Sequence, residues 1–168
     1  MKKIFVLFMF LFFLVGCSLS NNPTSKVEDL LVKYQTLDSD IKNGIDNVLN
    51  EENLTDNQKS RYRGLLEKQY KDLTYQIKEE RIDGNIAIIT AEIEVFDYKK
   101  IINEVNSEYQ GMDNYTVEQY NTNKIDKLEK VKDRVVYTID FEVNKDKNGN
   151  WKLSSLSNET LKKLQGMY

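Results

Sequence analysis

Histidine is absent from the 168 residues, cysteine, proline and tryptophan occur once each, and alanine appears only at positions 87 and 91. Without histidine there can be no Ser-His-Asp or Cys-His catalysis, and the commonest zinc ligand is missing as well. A single thiol leaves no intramolecular disulfide to staple the fold. Concentrated positive charge is also missing. The formal net charge is −3 and no Lys/Arg cluster occurs, so the electrostatic footprint of a nucleic-acid binder is lacking and nucleic acid is not expected as a partner. No internal repeat or low-complexity segment interrupts the chain.

The one long apolar run lies at the N-terminus. Met1-Lys2-Lys3 precedes twelve consecutive apolar residues, Ile4 to Val15, then Gly16 and the lone Cys17, which is the layout of an export signal. As a helix, such a run rises only about 18 Å, short of the ~30 Å hydrocarbon core that a permanent membrane span must cross. Five of the seven phenylalanines sit in it, so the folded part is rich in tyrosine instead. Cleavage before Cys17 would leave 152 residues with 22 basic and 27 acidic side chains, a balance of −5. A chain of that length can bury a single core without disulfides.

Residues Ser18 to Thr24 are polar and turn-prone and read as a tether. Ser25 with Glu28 has the spacing of a capping box, and apolar residues from Val27 to Leu49 then recur with helical period, which predicts one long amphipathic helix with Gly44 as its weakest point. Thr55 with Gln58 repeats the capping signature ahead of Tyr62, Leu65, Leu66, Gln69 and Leu73, a second helix. The period then falls to two. Leu73 to Lys78 alternate, Asp83-Gly84-Asn85 turns the chain, and Ala87, Ile89, Ala91, Ile93 and Val95 share one strand face. Val135, Tyr137, Ile139, Phe141 and Val143 do the same, and Asn148-Gly149 leads into Trp151 and Leu153 and a C-terminal helix from about Glu159. Between the hairpins, 98–133 reads as a helical insertion, two modest helices around a loop at Gly111 to Asn114. The expected fold is α+β: N-terminal helices packed on a curved antiparallel sheet of about four strands, in a single domain over 25–168.

Several patterns invite a chemical reading. Ser39-Asp40-Ile41-Lys42 has S-x-x-K spacing, but neither K-T-G nor S-D-N accompanies it, so a solvated helix surface is the expectation. Asp146-Lys147-Asn148-Gly149-Asn150 begins like a calcium loop, yet its glycine falls at the fourth place and no glutamate occupies the twelfth, which favours a hairpin turn. Glu92, Glu94, Asp140 and Glu142 fall on the solvent face of the sheet. Acid–base work would require one of them to be buried, and no apolar pocket is evident there. The ten tyrosines, set against two phenylalanines beyond the signal, suit half-buried core edges and interfaces. No catalytic residue, metal ligand or cofactor is expected.

Leu14-Val15-Gly16-Cys17 resembles a bacterial lipobox. That resemblance implies a diacylglycerol on the sulfur of Cys17, cleavage between Gly16 and Cys17, and a lipid anchor on the extracytoplasmic face of the cell membrane. The helices followed by Ile82-Asp83-Gly84-Asn85-Ile86 and, later, Asn148-Gly149-Asn150-Trp151-Lys152-Leu153 are similar to the nuclear-transport-factor-two-like superfamily of cone-shaped α+β folds, a form shared by small lipoproteins of low-GC Gram-positive bacteria. It implies a concave sheet used for binding or, in some members, for catalysis. Together these lead to the expectation of a non-catalytic lipoprotein that binds an envelope protein partner or a small envelope ligand through the concavity or the insertion. The alternatives are an enzyme using carboxylates, tyrosine or lysine in the cone, and a purely structural envelope or spore-associated lipoprotein.

Overall fold

A computed structural model describes residues 21–168. The first helix, α1 (Pro23–Thr36), starts earlier than expected. Asn22, not Ser25, is its N-cap, accepting the Ser25 N–H at 2.7 Å, and Pro23 occupies the first turn, where its missing N–H leaves no bond unmade. The expected tether therefore overlaps the folded domain by its last residues.

The single long helix is in fact two, and the break falls at Leu37 rather than Gly44. Leu37 adopts φ 51, and the N–H groups of Leu37 and Asp38 bond back to the carbonyls of Tyr34 and Lys33. A left-handed leucine costs about 1–2 kcal/mol. Its side chain is buried in the core, which offsets that cost. Asp38 then accepts the Asp40 N–H and caps α2 (Ser39–Glu51). Apolar spacing runs unbroken through the corner because both helices face the same core, and the sequence pattern therefore concealed it.

Helix α3 (Asp56–Lys71) begins with the expected capping box of Thr55 and Gln58. Strand β1 (Thr74–Asp83) extends well past Lys78, with a register shift between Ile77 and Glu79 that breaks the alternation from which its length was judged. Two residues, Gly84 (φ 58) and Asn85, connect it to β2 (Ile86–Phe96), and glycine stands first as a tight II′-like loop requires. Helices α4 (Tyr98–Tyr109) and α5 (Val117–Leu128) form the expected insertion, followed by β3 (Arg134–Lys145), β4 (Trp151–Leu153) and α6 (Asn158–Leu164).

The fold class is α+β, with a four-stranded antiparallel sheet in the order β1-β2-β3-β4. On its inner face Ala87, Ile89, Ala91, Ile93 and Val95 have no exposed surface. Val27, Leu31 and Tyr34 of α1 join the same core, and α1 reaches every strand. The inner face of the sheet is thus covered by the protein's own helices.

Candidate functional site

Gly16 and Cys17, the expected cleavage and lipid-attachment positions, lie outside the described residues. Asn21, the first described residue, is already bonded into the domain. The Asn21 side-chain carbonyl accepts the Trp151 N–H at 2.9 Å, and its amide donates to the Gly149 carbonyl at 3.3 Å. The start of the domain is therefore pinned to the turn between β3 and β4, a contact across more than a hundred residues that no local pattern announces.

The four outer-face carboxylates are brought into register with one another's strands, but each is engaged separately. Glu92 pairs with Lys78 at 2.8 Å and Glu94 with Arg134 at 3.4 Å. Asp140 accepts from Thr90 at 2.6 Å. Hydrogen bonds from Asn144 and then Ser154 hold the Glu142 carboxyl below the usual range. Ser39 is the first residue of α2 rather than a mid-helix residue, and both it and Lys42 are exposed. Asp146 accepts the N–H groups of Asn148 and Asn150 and pairs with Lys152, so its carboxylate organises a hairpin turn around Gly149 (φ 79).

The insertion is rigidly seated. At its base the Asp97 N–H donates to the Asp133 carbonyl at 3.0 Å, and Lys100 pairs with Asp133 at 2.7 Å, which lowers that carboxyl's pKa. Val105, Ile125 and Leu128 are buried along α4 and α5. Against α3, Gln58 donates to the Glu118 carbonyl and the Thr122 hydroxyl, and Asn121 donates to the Asn53 carbonyl. Arg61 forks onto Glu129 at 2.9 and 2.6 Å and reaches Asp126 at 2.6 Å. Gln58 is therefore both a cap and a docking residue, and only the first role was visible in the sequence.

At the far end of α4 and α5 three tyrosines converge. Tyr109 meets Tyr115 edge-on at 4.7 Å and Tyr120 edge-on at 5.3 Å, while Tyr115 and Tyr120 are 6.4 Å apart. The Tyr120 hydroxyl donates to Asn106, and the Tyr109 hydroxyl to the Gln119 carbonyl. These rings line an open cleft of about 480 Å³, and Tyr109 and Tyr115 also border a second groove of about 850 Å³ that includes Met112 and Glu118. Met112, Tyr115 and Val117 are exposed, an unusual display of apolar surface at a helix-to-helix tip. Tyrosine abundance hinted at such a surface. The clustering itself needed the loop geometry, with Gly111 at φ 84 turning the chain back.

No protein-family model matches the chain, and no curated protein matches it. Among solved structures, a candidate lipoprotein (ycdA) from Bacillus subtilis subsp. subtilis str. 168 is similar at 15% identity and a TM-score of 0.43, covering 86% of this chain and 47% of that one. The chain thus spans about half the length of that structure.

Proposed function

We propose that the chain is a non-catalytic lipoprotein, anchored through Cys17 on the extracytoplasmic face of the membrane, which binds a partner through its helical insertion. The observation that carries this reading is the Leu14-Val15-Gly16-Cys17 signal end followed, four residues later, by the docked Asn21. Two acyl chains hold a protein stably at a bilayer where one binds only marginally, at ~0.8 kcal/mol per buried methylene. Four residues span at most ~14 Å, so the β3–β4 turn would stand against the membrane. The insertion leaves β2 and re-enters β3 at the opposite end of the sheet. Strand β2 spans roughly 30–35 Å at ~3.3 Å per residue, so the insertion's base would be held that far from the anchored end.

Two features support binding rather than catalysis. The outer carboxylates are individually paired, and burial raises the phenol pKa of Tyr34, Tyr62, Tyr70 and Tyr98, which keeps those hydroxyls protonated. With helices covering the inner face of the sheet, the insertion is the better-formed binding surface. The domain is also proposed to be a nuclear-transport-factor-two-like cone, a reading supported by the helix-filled antiparallel sheet and the Asn148-Gly149 hairpin.

Replacing Cys17 with alanine tests the anchor. Loss of lipid labelling, with accumulation of the uncleaved precursor, is the expected result, and normal labelling and maturation would end the proposal. On intact cells, a photo-crosslinker at Tyr115 should capture a discrete partner, whereas one at Thr138 on the outer sheet face should not.

A further inference from the structure

The geometry points to a basic peptide segment, carrying lysine or arginine among apolar residues, as the occupant of the tyrosine cleft at the α4–α5 tip. This rests on the proposed role of the insertion as the binding element and names the chemistry of its partner.

Charge is the first ground. From Ile101 to Asn123 the chain carries Glu104, Glu108, Asp113 and Glu118 and no lysine or arginine. Glu108 is consumed internally, since Lys127 and Asn123 donate to it and lower its pKa. Glu104, Asp113 and Glu118 have no ion-pair partner among the described residues. Glu118 borders the groove that Tyr115 and Met112 line, and Asp113 follows Met112 in the tip loop, so open negative charge falls where apolar surface is also open. Glu104, by contrast, lies at the insertion's base beside Lys100 and Lys127.

Ring chemistry is the second ground. Tyrosine faces carry negative electrostatic potential and attract ammonium and guanidinium groups lying within about 6 Å of the centroid. This cluster already takes one cation that way: Lys124 stands 5.6 Å from the Tyr120 centroid and 5.5 Å from that of Tyr62. Tyr115 is 44% exposed and has no such cation of its own among the described residues. Met112 and Val117, both more than half exposed, offer apolar contact beside it for the neighbouring side chains of an incoming segment. An anionic polymer or lipid headgroup would be repelled by Glu118 and Asp113. A neutral glycan could stack on the rings but would leave Glu118 and Asp113 unused.

The test uses the full-length lipidated chain in neutral detergent and fluorescent decapeptides of matched length: lysine- and arginine-bearing with apolar residues between, a glutamate-bearing counterpart, and an uncharged oligosaccharide as a third probe. The basic peptide should bind, weaken as salt is raised from about 50 to about 300 mM, and exceed its acidic counterpart by at least ~10-fold in affinity. Tyr115→Ala and Glu118→Lys should each lower that affinity by ~3-fold to ~30-fold, with circular dichroism unchanged. Tyr115→Phe, which keeps the ring face, should bind almost as wild type. Equal binding of both peptides, binding of neither, or binding only of the oligosaccharide overturns the inference. Cys17→Ala keeps the cleft, so its peptide affinity should match the wild type even if lipid labelling fails. Failure of the anchor and failure of the cleft are therefore read separately.

Discussion

Gln69 offers the sharpest test of how the insertion is attached to the sheet. It has no exposed surface, and its side-chain amide completes both hydrogen bonds of one residue: its carbonyl accepts the Phe96 N–H at 2.9 Å, and its NH2 donates to the Phe96 carbonyl at 3.0 Å. Phe96 is the last residue of β2, where the chain leaves the sheet for α4. Water cannot substitute for the amide. Gly166 presses on the same atoms so closely that an added Cβ would lie 2.0 Å from the Phe96 oxygen and 2.3 Å from the Gln69 nitrogen. Gln69→Leu preserves the volume and strands two buried backbone groups, each costing about 1–3 kcal/mol. Part of that is returned by the added apolar burial, leaving an expected loss of ~3 kcal/mol. With a urea slope of about 2 kcal/mol per molar, the midpoint should fall by ~1.5 M, followed through Trp151 fluorescence on residues 18–168. Gln69→Glu separates the two bonds. Its carboxylate can still accept from the N–H but faces the Phe96 carbonyl, whereas the protonated acid can serve both. Burial favours the neutral acid, so this variant should regain stability as pH falls and lose it as pH rises through the raised pKa. A Gln69→Leu midpoint within about 0.3 M of wild type, or a Gln69→Glu variant whose deficit does not change with pH, would refute the reasoning.

Asn21→Ala should cost ~1 kcal/mol by leaving the Trp151 N–H without its partner, and should free the N-terminal segment for limited proteolysis at residues that resist it in the wild type. Unchanged cleavage would mean the docking contributes nothing. Acid should loosen the insertion through Arg61: hydrogen bonds from this guanidinium are the largest cause of the lowered Glu129 pKa. A carboxyl depressed in the folded state adds stability above its unfolded pKa of ~4.3 and loses it as pH falls through the folded value. Between pH 6 and pH 3 the urea midpoint of the wild type should therefore fall more steeply than that of Arg61→Met. Parallel slopes would sink the claim.

What could be read in the chain was whatever local chemistry decides. The Thr55–Gln58 capping box, the alternation of Ala87 to Val95 and of Val135 to Val143, and the Gly84 and Gly149 turns all depend on residues within a few positions of one another, and they stand where expected. Leu37 was missed because a left-handed leucine is a local cost met by tertiary burial, and its apolar character suited either geometry. Glu79 to Asp83 were missed from β1 because the register shift after Ile77 spoils the period by which a strand is recognised. Gln69 was legible as a residue of the core-facing stripe but not as the partner of Phe96, since a buried amide's partners are set by long-range packing. The tyrosine cleft lay between these cases. Its composition was visible, while its shape depended on how α4 and α5 fold back on each other.

The seating of the insertion bears on what the cleft can do. A loop that had to order itself on binding would lose about 1–2 kcal/mol for each backbone residue fixed, and a small exposed aromatic patch could not offset many such losses. Here the ordering is already done. The Asp97–Asp133 bond and the Lys100 pair close the base, the buried Val105, Ile125 and Leu128 hold the two helices together, and Gln58, Arg61 and Asn121 fasten α5 to the α3 region. Tyr109 and Tyr120 are held by hydroxyl bonds, so two of the three rings are preset before any partner arrives. If that preorganisation is what makes a modest surface useful, loosening the seat should weaken binding without touching the cleft. Arg61→Met should then reduce affinity for the basic decapeptide by a few-fold while Asp40→Asn, on α2 away from the seat, leaves it unchanged. Equal affinities for Arg61→Met and wild type would show that the cleft forms independently of its docking on α3.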